Sequence, residues 1–178
     1  YGPAFRYERP QKGRQRQFHQ YGLELLGVAE PEADVEVIAL AAQILEAVGL
    51  KEKARLELNS LGDGESRKAY REALVEYLQA HADALSEDSR LRLERNPLRV
   101  LDSKDENDKR IIAGAPRLEN YFSESAKDFF VRVKRGLEGL GIAYTLNDRL
   151  VRGLDYYNHT VFEFIAEEGL GAQSTLIA

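Results

Sequence analysis

The sequence predicts an α+β fold: an antiparallel sheet flanked by helices and interrupted by a mainly helical insertion. Three observations carry this. Alternating apolar and polar stretches cluster near the two ends of the 178-residue chain, and helical spacing dominates its middle. Hairpin punctuation outnumbers any strand–helix–strand pattern, which favours antiparallel pairing. The 43% apolar content suffices for a core, and 31% charged residues predict a water-facing surface. The length suits one domain or a domain carrying a small insertion.

Taken in order, residues 4 to 8 and 17 to 26 read as two strands joined by "RPQKGRQR", with Pro10 and Gly13 as breakers. On the second strand Gln20, Gly22 and Glu24 face one way and Tyr21, Leu23 and Leu25 the other. Pairing the two strands places Arg6 and Glu8 on the face of Gln20 and Glu24. Four polar side chains make a poor core and a better cleft floor. A helix follows at about 34 to 48, with Asp34 as N-cap, a stripe of Val35, Ile38, Ala42, Leu45 and Val48, and Gly49 at its stop. "ARLELNS" (54 to 60) alternates as a strand.

From Gly62 the pattern turns helical. "GESRKAYREALVEYLQAHADAL" places Tyr70, Leu74, Tyr77 and Leu78 on one stripe. "SEDSRLRLERN" gives a second helix ending before Pro97, "NPLRVLDSK" a connector, and "DENDKRIIAGAP" a short helix. "SESAKDFFVRVKRGLEGLG" gives a longer helix capped by Ser123 or Ser125. Strands resume at "IAYTLN" (142 to 147), "HTVFEFIA" (159 to 166) and "AQSTLIA", the last after a turn at Gly169 and Gly171. The expected division is therefore 1–61 as the first part of a core, 62–134 as a helical insertion, and 135–178 as the second part of the core. The abrupt strand-like ends suggest a piece of a longer protein.

The net charge is −5, yet Arg6, Arg9, Lys12, Arg14 and Arg16 surround a single Glu8 near the start, leaving −9 for the remainder. That balance argues against a general nucleic-acid coat and for a local anion site. Arginine presents a planar, permanently charged fork that suits phosphate and carboxylate. A strand-borne Arg6 beneath a basic loop would suit a polyphosphate, although a solvated hairpin loop explains the same charges. Glu8 could accept from a base amino group or form a surface pair, and Phe18 could stack on a ring or join the core. In "LVRGLDYYN", Arg152 stands between apolar residues with Asp155 near enough to pair with it. Tyr156 and Tyr157 are consecutive and so face opposite ways in extended chain.

Other chemistries find no support. Cysteine is absent, which excludes disulfides and thiolate metal sites. His19, His81 and His159 are scattered without ligand spacing, so no metal site is expected. No run reaches the ~18–20 apolar residues of a membrane helix, and no secretory signal pattern is present. An enzyme with these residues would work by positioning and electrostatics.

Two stretches resemble one family. "GPAFRYERPQKGRQRQFHQYGLELLG" resembles the motif 2 hairpin of class II aminoacyl-tRNA synthetases in its histidyl-tRNA synthetase version, and "LVRGLDYYNHTVFEF" resembles that family's histidine-specific signature. The helical block with "NPLRVLDSK" is similar to its insertion domain. The resemblance implies the class II sheet and an ATP-dependent, AMP-forming ligase that makes histidyl-adenylate and passes histidine to tRNA(His). It implies that Arg6 grips the α-phosphate and the amino-acid carboxylate, that Glu8 holds the adenine amino group, that Phe18 stacks on adenine, and that Arg14 meets the outer phosphates. Gln20 would contact histidine near its α-amino or carboxylate end. Glu24, Tyr156 and Tyr157 would line the histidine site, with Glu24 and Tyr157 receiving the imidazole. Arg152 would be the catalytic arginine at the α-phosphate.

ATP is then a substrate, Mg2+ arrives through ATP, the parent is a cytoplasmic homodimer, and no membrane is involved. Motif 1, motif 3 and the anticodon-binding domain are expected outside this stretch, so the segment alone is expected to be inactive. Two alternatives remain: a synthetase-like regulatory subunit of histidine biosynthesis, and a tRNA-binding fragment without chemistry. The first would be expected to lose Arg6, Glu8, Arg14 and "RGLDYYN" and to lack the insertion, whereas all are present here.

Overall fold

The computed structural model describes residues 1–7, 9–10, 14–150, 157–166 and 175–178. Among these the chain forms six strands and five α-helices. They run β1 (Gly2–Phe5), β2 (Gln17–Gln20), α1 (Pro31–Ala47), β3 (Ala54–Ser60), α2 (Gly64–Ala80), α3 (Glu87–Arg95), α4 (Glu106–Ala113), α5 (Glu124–Gly139), β4 (Thr145–Leu146), β5 (Thr160–Ala166) and β6 (Thr175–Ile177). β1 and β2 form an antiparallel hairpin, and a second sheet has the order β4-β3-β5-β6 with β5 and β6 antiparallel. The mixed α+β class is as the sequence predicts.

The chain divides into two compact units. The first comprises Tyr1–Glu57, Arg132–Thr145 and Phe162–Ala178; the second comprises Leu58–Val131 and Leu146–Val161. In the first unit α1 begins at Pro31, not at Asp34. Proline at the first helical position has its φ preset and no N–H to leave unpaired, so Glu30 becomes the cap residue and Asp34 falls in the first turn. The buried stripe is Ala33, Val35, Ile38, Ala41 and Leu45; Ala42 is only half-buried, and Val48 lies beyond the helix, exposed beside Gly49 at φ +74°. α5 buries Val133 and Leu137 and approaches α1 through Gly136, where an added Cβ would lie 2.7 Å from Val35 Cγ2. Arg132 on α5 reaches Glu32 and Glu30 at the start of α1, which holds the Glu32 carboxyl below its usual range.

The second unit packs Tyr70, Leu74 and Leu78 of α2 against Leu85 and Val100. Its helices start where their sequences cap them. Asp63 Oδ1 accepts from the Ser66 N–H, Ser86 Oγ from the Ser89 N–H, Asp105 Oδ1 from the Asn107 and Asp108 N–H groups, and Ser123 Oγ from the Ala126 N–H. Ser123 rather than Ser125 therefore caps α5. The "NPLRVLD" connector is a 3-10 turn over Pro97–Asp102.

Two carboxylates tie distant segments of this unit together. Asp108 has no exposed surface and accepts from Ser86 N–H and from the hydroxyls of Ser86, Ser89 and Ser103. Burial alone would raise its pKa, but these donors outweigh it and hold the carboxyl at about 2. Asp63 likewise gathers Ser66, Ser123 and Ser125, and its carboxyl is held well below the usual range against the opposing effect of burial.

Three strands are shorter than the alternation predicts. β1 ends at Phe5, leaving Arg6 just past it, and β2 ends at Gln20 instead of continuing to residue 26. Its last register pair is Gly2 with Gln20, and residues 21–26 have no described strand beside them. Tyr21, Leu23 and Leu25, expected to share one face of that strand, are exposed. Residues 142–147 yield only the two-residue β4.

Two stability measurements test this packing. Gly136→Ala should destabilise the chain by about 1–3 kcal/mol in chemical denaturation, because the Val35 overlap outweighs alanine's helix preference of about 1 kcal/mol. Val35→Ala in the same chain should restore it, and stabilisation by Gly136→Ala alone would show the contact to be looser. Asp108→Ala should cost about 3 kcal/mol by leaving its serine donors unsatisfied. Because the folded pKa of Asp108 lies below the ordinary 3.8, its contribution is complete above about pH 4 and is lost as pH falls towards about 2. Asp108→Asn should flatten that part of the stability–pH curve.

Candidate functional site

The hairpin places its residues by register. Gln17 pairs with Phe5, Phe18 with Ala4, His19 with Pro3 and Gln20 with Gly2. Arg6 extends the ladder by donating its backbone N–H to the Arg16 carbonyl at 2.9 Å. Opposed residues share a face of a pleated pair, so Arg6, Phe18 and Gln20 lie on one side. The Arg6 guanidinium sits over the Phe18 ring, 3.8 Å from its centroid, an arrangement in which the cation meets the negative ring face. Arg6 Nε is buried and has no hydrogen-bond partner among the described residues.

On the opposite side Tyr1 stacks on His19 at 5.5 Å and tilts against Tyr21. Arg14 follows in the return of the loop and is half-buried, while Gln20 and Glu24 are exposed. Glu24 does not share a strand with Gln20, because β2 stops first. The expected cleft floor is therefore not carried from Gln20 to Glu24 by one continuous strand. Glu8 lies outside the described residues.

Arg152, Tyr156 and their neighbour Asp155 also lie outside the described residues, but the chain on both sides of this stretch is fixed within the second unit. Before it, Leu150 is buried with Leu61 and Val161, and its carbonyl accepts from Asn59 Nδ2 at 3.0 Å. After it, the Tyr157 carbonyl accepts from Arg67 on α2. His159 then closes a backbone clamp, donating its N–H to the Gly62 carbonyl at 2.8 Å and accepting the Leu61 N–H at 2.7 Å. It does so at φ +53°, a left-handed conformation costly for a non-glycine residue. Its ring stacks on Phe129 at 4.0 Å, and Nδ1 has no hydrogen-bond partner among the described residues. The Tyr157 side chain is partly exposed.

Sequence reasoning passed over Arg67, His159 and Asp63. A histidine between "YYN" and a strand offers no sign of a left-handed backbone, and the serines that converge on Asp63 lie up to 62 positions away. Among the described residues no three His, Asp or Glu side chains converge as a metal site, and no helix is long and apolar enough to cross a membrane.

The second unit also contains a cavity of about 310 Å³ whose lining includes Tyr70, Leu101 and Leu118, with Lys68, Arg71 and Arg95 around it. Tyr157 reaches the same cavity. Burial and the nearby Asp148 charge push the Tyr70 hydroxyl up to about 12.

Comparison with known proteins decides the family. The model of the family described as histidyl-tRNA synthetase matches residues 1–173. The chain belongs to this family. It is 61% identical over 177 residues to a histidine–tRNA ligase of Rhodospirillum rubrum, covering 99% of this chain and 42% of that protein. It is 61% identical over 175 residues to a histidine–tRNA ligase of Synechococcus elongatus, covering 98% of this chain and 40% of that protein. The crystal structure of apo S. aureus histidyl-tRNA synthetase superposes with a TM-score of 0.75 at 37% identity, over 98% of this chain and 40% of that one. The chain thus spans about two fifths of the length of the relatives it matches.

Within the family member, Arg6→Lys separates charge from shape at the hairpin. Lysine keeps the charge but loses the planar fork. If Arg6 grips phosphate as the resemblance implies, ATP–pyrophosphate exchange by the full-length protein should fall about a hundredfold, with circular dichroism unchanged. Exchange within twofold of the parent would contradict that expectation.

Proposed function

We propose that the full-length protein containing this chain is a histidine–tRNA ligase, and that this stretch supplies part of its ATP and histidine sites. The observation that carries the reading is the hairpin face on which register places Arg6, Phe18 and Gln20 together. In this reading the histidine carboxylate attacks the α-phosphorus of ATP, a new P–O bond forms, and pyrophosphate leaves. The adenylate then passes histidine to tRNA(His) and releases AMP. Both steps build negative charge on phosphate oxygens, and fixed guanidinium groups are suited to stabilise it.

Arg6 takes the α-phosphate and the histidine carboxylate, Glu8 the adenine amino group, and Arg14 the outer phosphates. In this reading adenine takes the Phe18 face that the Arg6 guanidinium covers. ATP binding would therefore draw Arg6 onto phosphate and place the base on the ring it vacates. Arg152 acts at the α-phosphate as the catalytic arginine. Gln20 holds the α-amino or carboxylate end of histidine. Glu24 and Tyr157 serve the imidazole, with Tyr156 beside them. A site that satisfies both ring nitrogens rejects apolar amino acids by leaving its own polar groups unpaired.

Mg2+ is carried on the ATP phosphates and neutralises part of their charge. The full-length protein is read as a cytoplasmic homodimer acting on tRNA(His).

The deciding assay is ATP–pyrophosphate exchange by the full-length protein with each amino acid in turn. Exchange should require histidine, and Arg152→Ala should abolish it while leaving the unfolding transition in place. Exchange that proceeds equally without histidine, or that survives Arg152→Ala, would refute the reading.

A further inference from the structure

We propose that His159 is a positioning residue for the histidine site, acting through the signature stretch that it follows. Its ring, stacked on Phe129 of α5, holds the backbone clamp by which the chain returns to the sheet. β3 ends at Ser60 and β5 begins at Thr160, and the two strands are neighbours. Just beyond those ends, the Leu61 N–H donates to the His159 carbonyl at 2.7 Å and the His159 N–H donates to the Gly62 carbonyl at 2.8 Å. Two residues thus oppose one, which is the count of a β-bulge. Bulges end pairing and re-aim side chains, and they are common next to active sites.

Both sides of this clamp are left-handed: Gly62 at φ +65° and His159 at φ +53°. At 62 the reason for glycine is steric, since an added Cβ would lie 2.5 Å from Ser66 Cβ. At 159 glycine would adopt the same backbone without strain, yet the chain carries histidine. What histidine adds is a flat ring. Its centroid lies 4.0 Å from that of Phe129, with the planes 17° apart, a stacked pair. Nδ1 is buried without a hydrogen-bond partner among the described residues, so stacking, and not a bond from Nδ1, anchors the ring there. A strained backbone persists where its surroundings over-determine it, and the stack on Phe129 supplies that constraint.

Phe129 is itself held in place. The start of α5 is tied through Ser123 to Asp63, which also caps α2. Arg67 of α2 donates to the Tyr157 carbonyl. The His159 ring and the Tyr157 backbone are therefore referred to two helices that share one carboxylate. Tyr157 lies two positions before His159, so it is the signature residue that this clamp places most directly. Its part in histidine binding rests on the ligase reading above, in which Tyr157 serves the imidazole. The imidazole is remote from the carboxylate that reacts. A displaced Tyr157 weakens ground state and transition state alike, which raises KM for histidine and leaves kcat in place.

The test compares His159→Asn and Phe129→Ala with the parent, each in the full-length protein. Asparagine tolerates the left-handed backbone but has no ring to stack, so this variant keeps the fold where Phe129→Ala risks loosening it. ATP–pyrophosphate exchange is measured with histidine and ATP varied separately, and amide hydrogen exchange is followed over residues 58–63 and 157–161. In both variants amide exchange over these residues should quicken about tenfold. KM for histidine should rise about tenfold, with KM for ATP and kcat within about twofold of the parent. Phe129→Tyr, which keeps a ring, should restore the parent's KM. An unchanged KM for histidine in His159→Asn, equal rises for both substrates, or a fall in kcat alone would overturn the proposal. A raised KM with parental amide exchange would overturn it too, because the effect would not pass through the clamp. Absence of histidine-dependent exchange in the parent would refute the ligase reading, and the clamp itself would then be judged by the amide exchange.

Discussion

The second unit depends on one carboxylate. Asp63 caps α2 through Ser66, and its other oxygen receives the hydroxyls of Ser123 and Ser125 at the start of α5. Ser66 Oγ in turn accepts the Ser123 N–H at 2.9 Å, which closes the ring of contacts. The residues just before Asp63 are held to the other side of the unit. Leu61 and Gly62 exchange backbone hydrogen bonds with His159, whose ring lies on Phe129 of α5. Gly62 sits at φ +65°, and an added Cβ would lie 2.5 Å from Ser66 Cβ, so no side chain fits that turn. A single turn at 61–63 thus sets where α2 begins, where α5 begins and where the chain after the signature emerges.

Positive charge is concentrated locally in an acidic chain. The chain is acidic, yet each unit carries a basic surface next to a flat ring. In the first unit it is Arg6 against Phe18, and in the second it is Lys68, Arg71 and Arg95 around the cavity that Tyr70 lines. Rings beside guanidinium groups suit ligands that combine bases with phosphates, and both substrates of the proposed ligase, ATP and tRNA, are of that kind. The acidic remainder disfavours diffuse attraction to nucleic acid.

The helices were legible because their signals lie within a few residues of one another. Ser86, Asp105 and Ser123 each accept from an N–H two or three positions later, and the stripe Tyr70, Leu74, Leu78 is a helical period written into the sequence. Asp34 misled because a good capping residue stands three positions after a proline, and the proline fixes the first turn. Strand length was not legible, since a strand lasts only as long as its partner. The alternation of Tyr21, Leu23 and Leu25 continues past Gln20, but the pairing does not. The face shared by Arg6 and Gln20 followed from alternation once the hairpin was assumed, whereas the Phe18 ring beside them and its stacking with Arg6 required coordinates. The carboxylate hubs were invisible because their serines approach only after folding, 57 to 62 positions apart in the case of Asp63 and Ser66 with Ser123 and Ser125.

On the proposed function the hairpin face binds ATP, and Arg6 rests on Phe18 only until ATP arrives. The most direct measurement is a crystal structure of the full-length protein with ATP and the inert analogue histidinol. Adenine should lie on the Phe18 ring and the Arg6 guanidinium on the α-phosphate, no longer over the ring. ATP bound elsewhere, with Arg6 still 3.8 Å above Phe18, would contradict it.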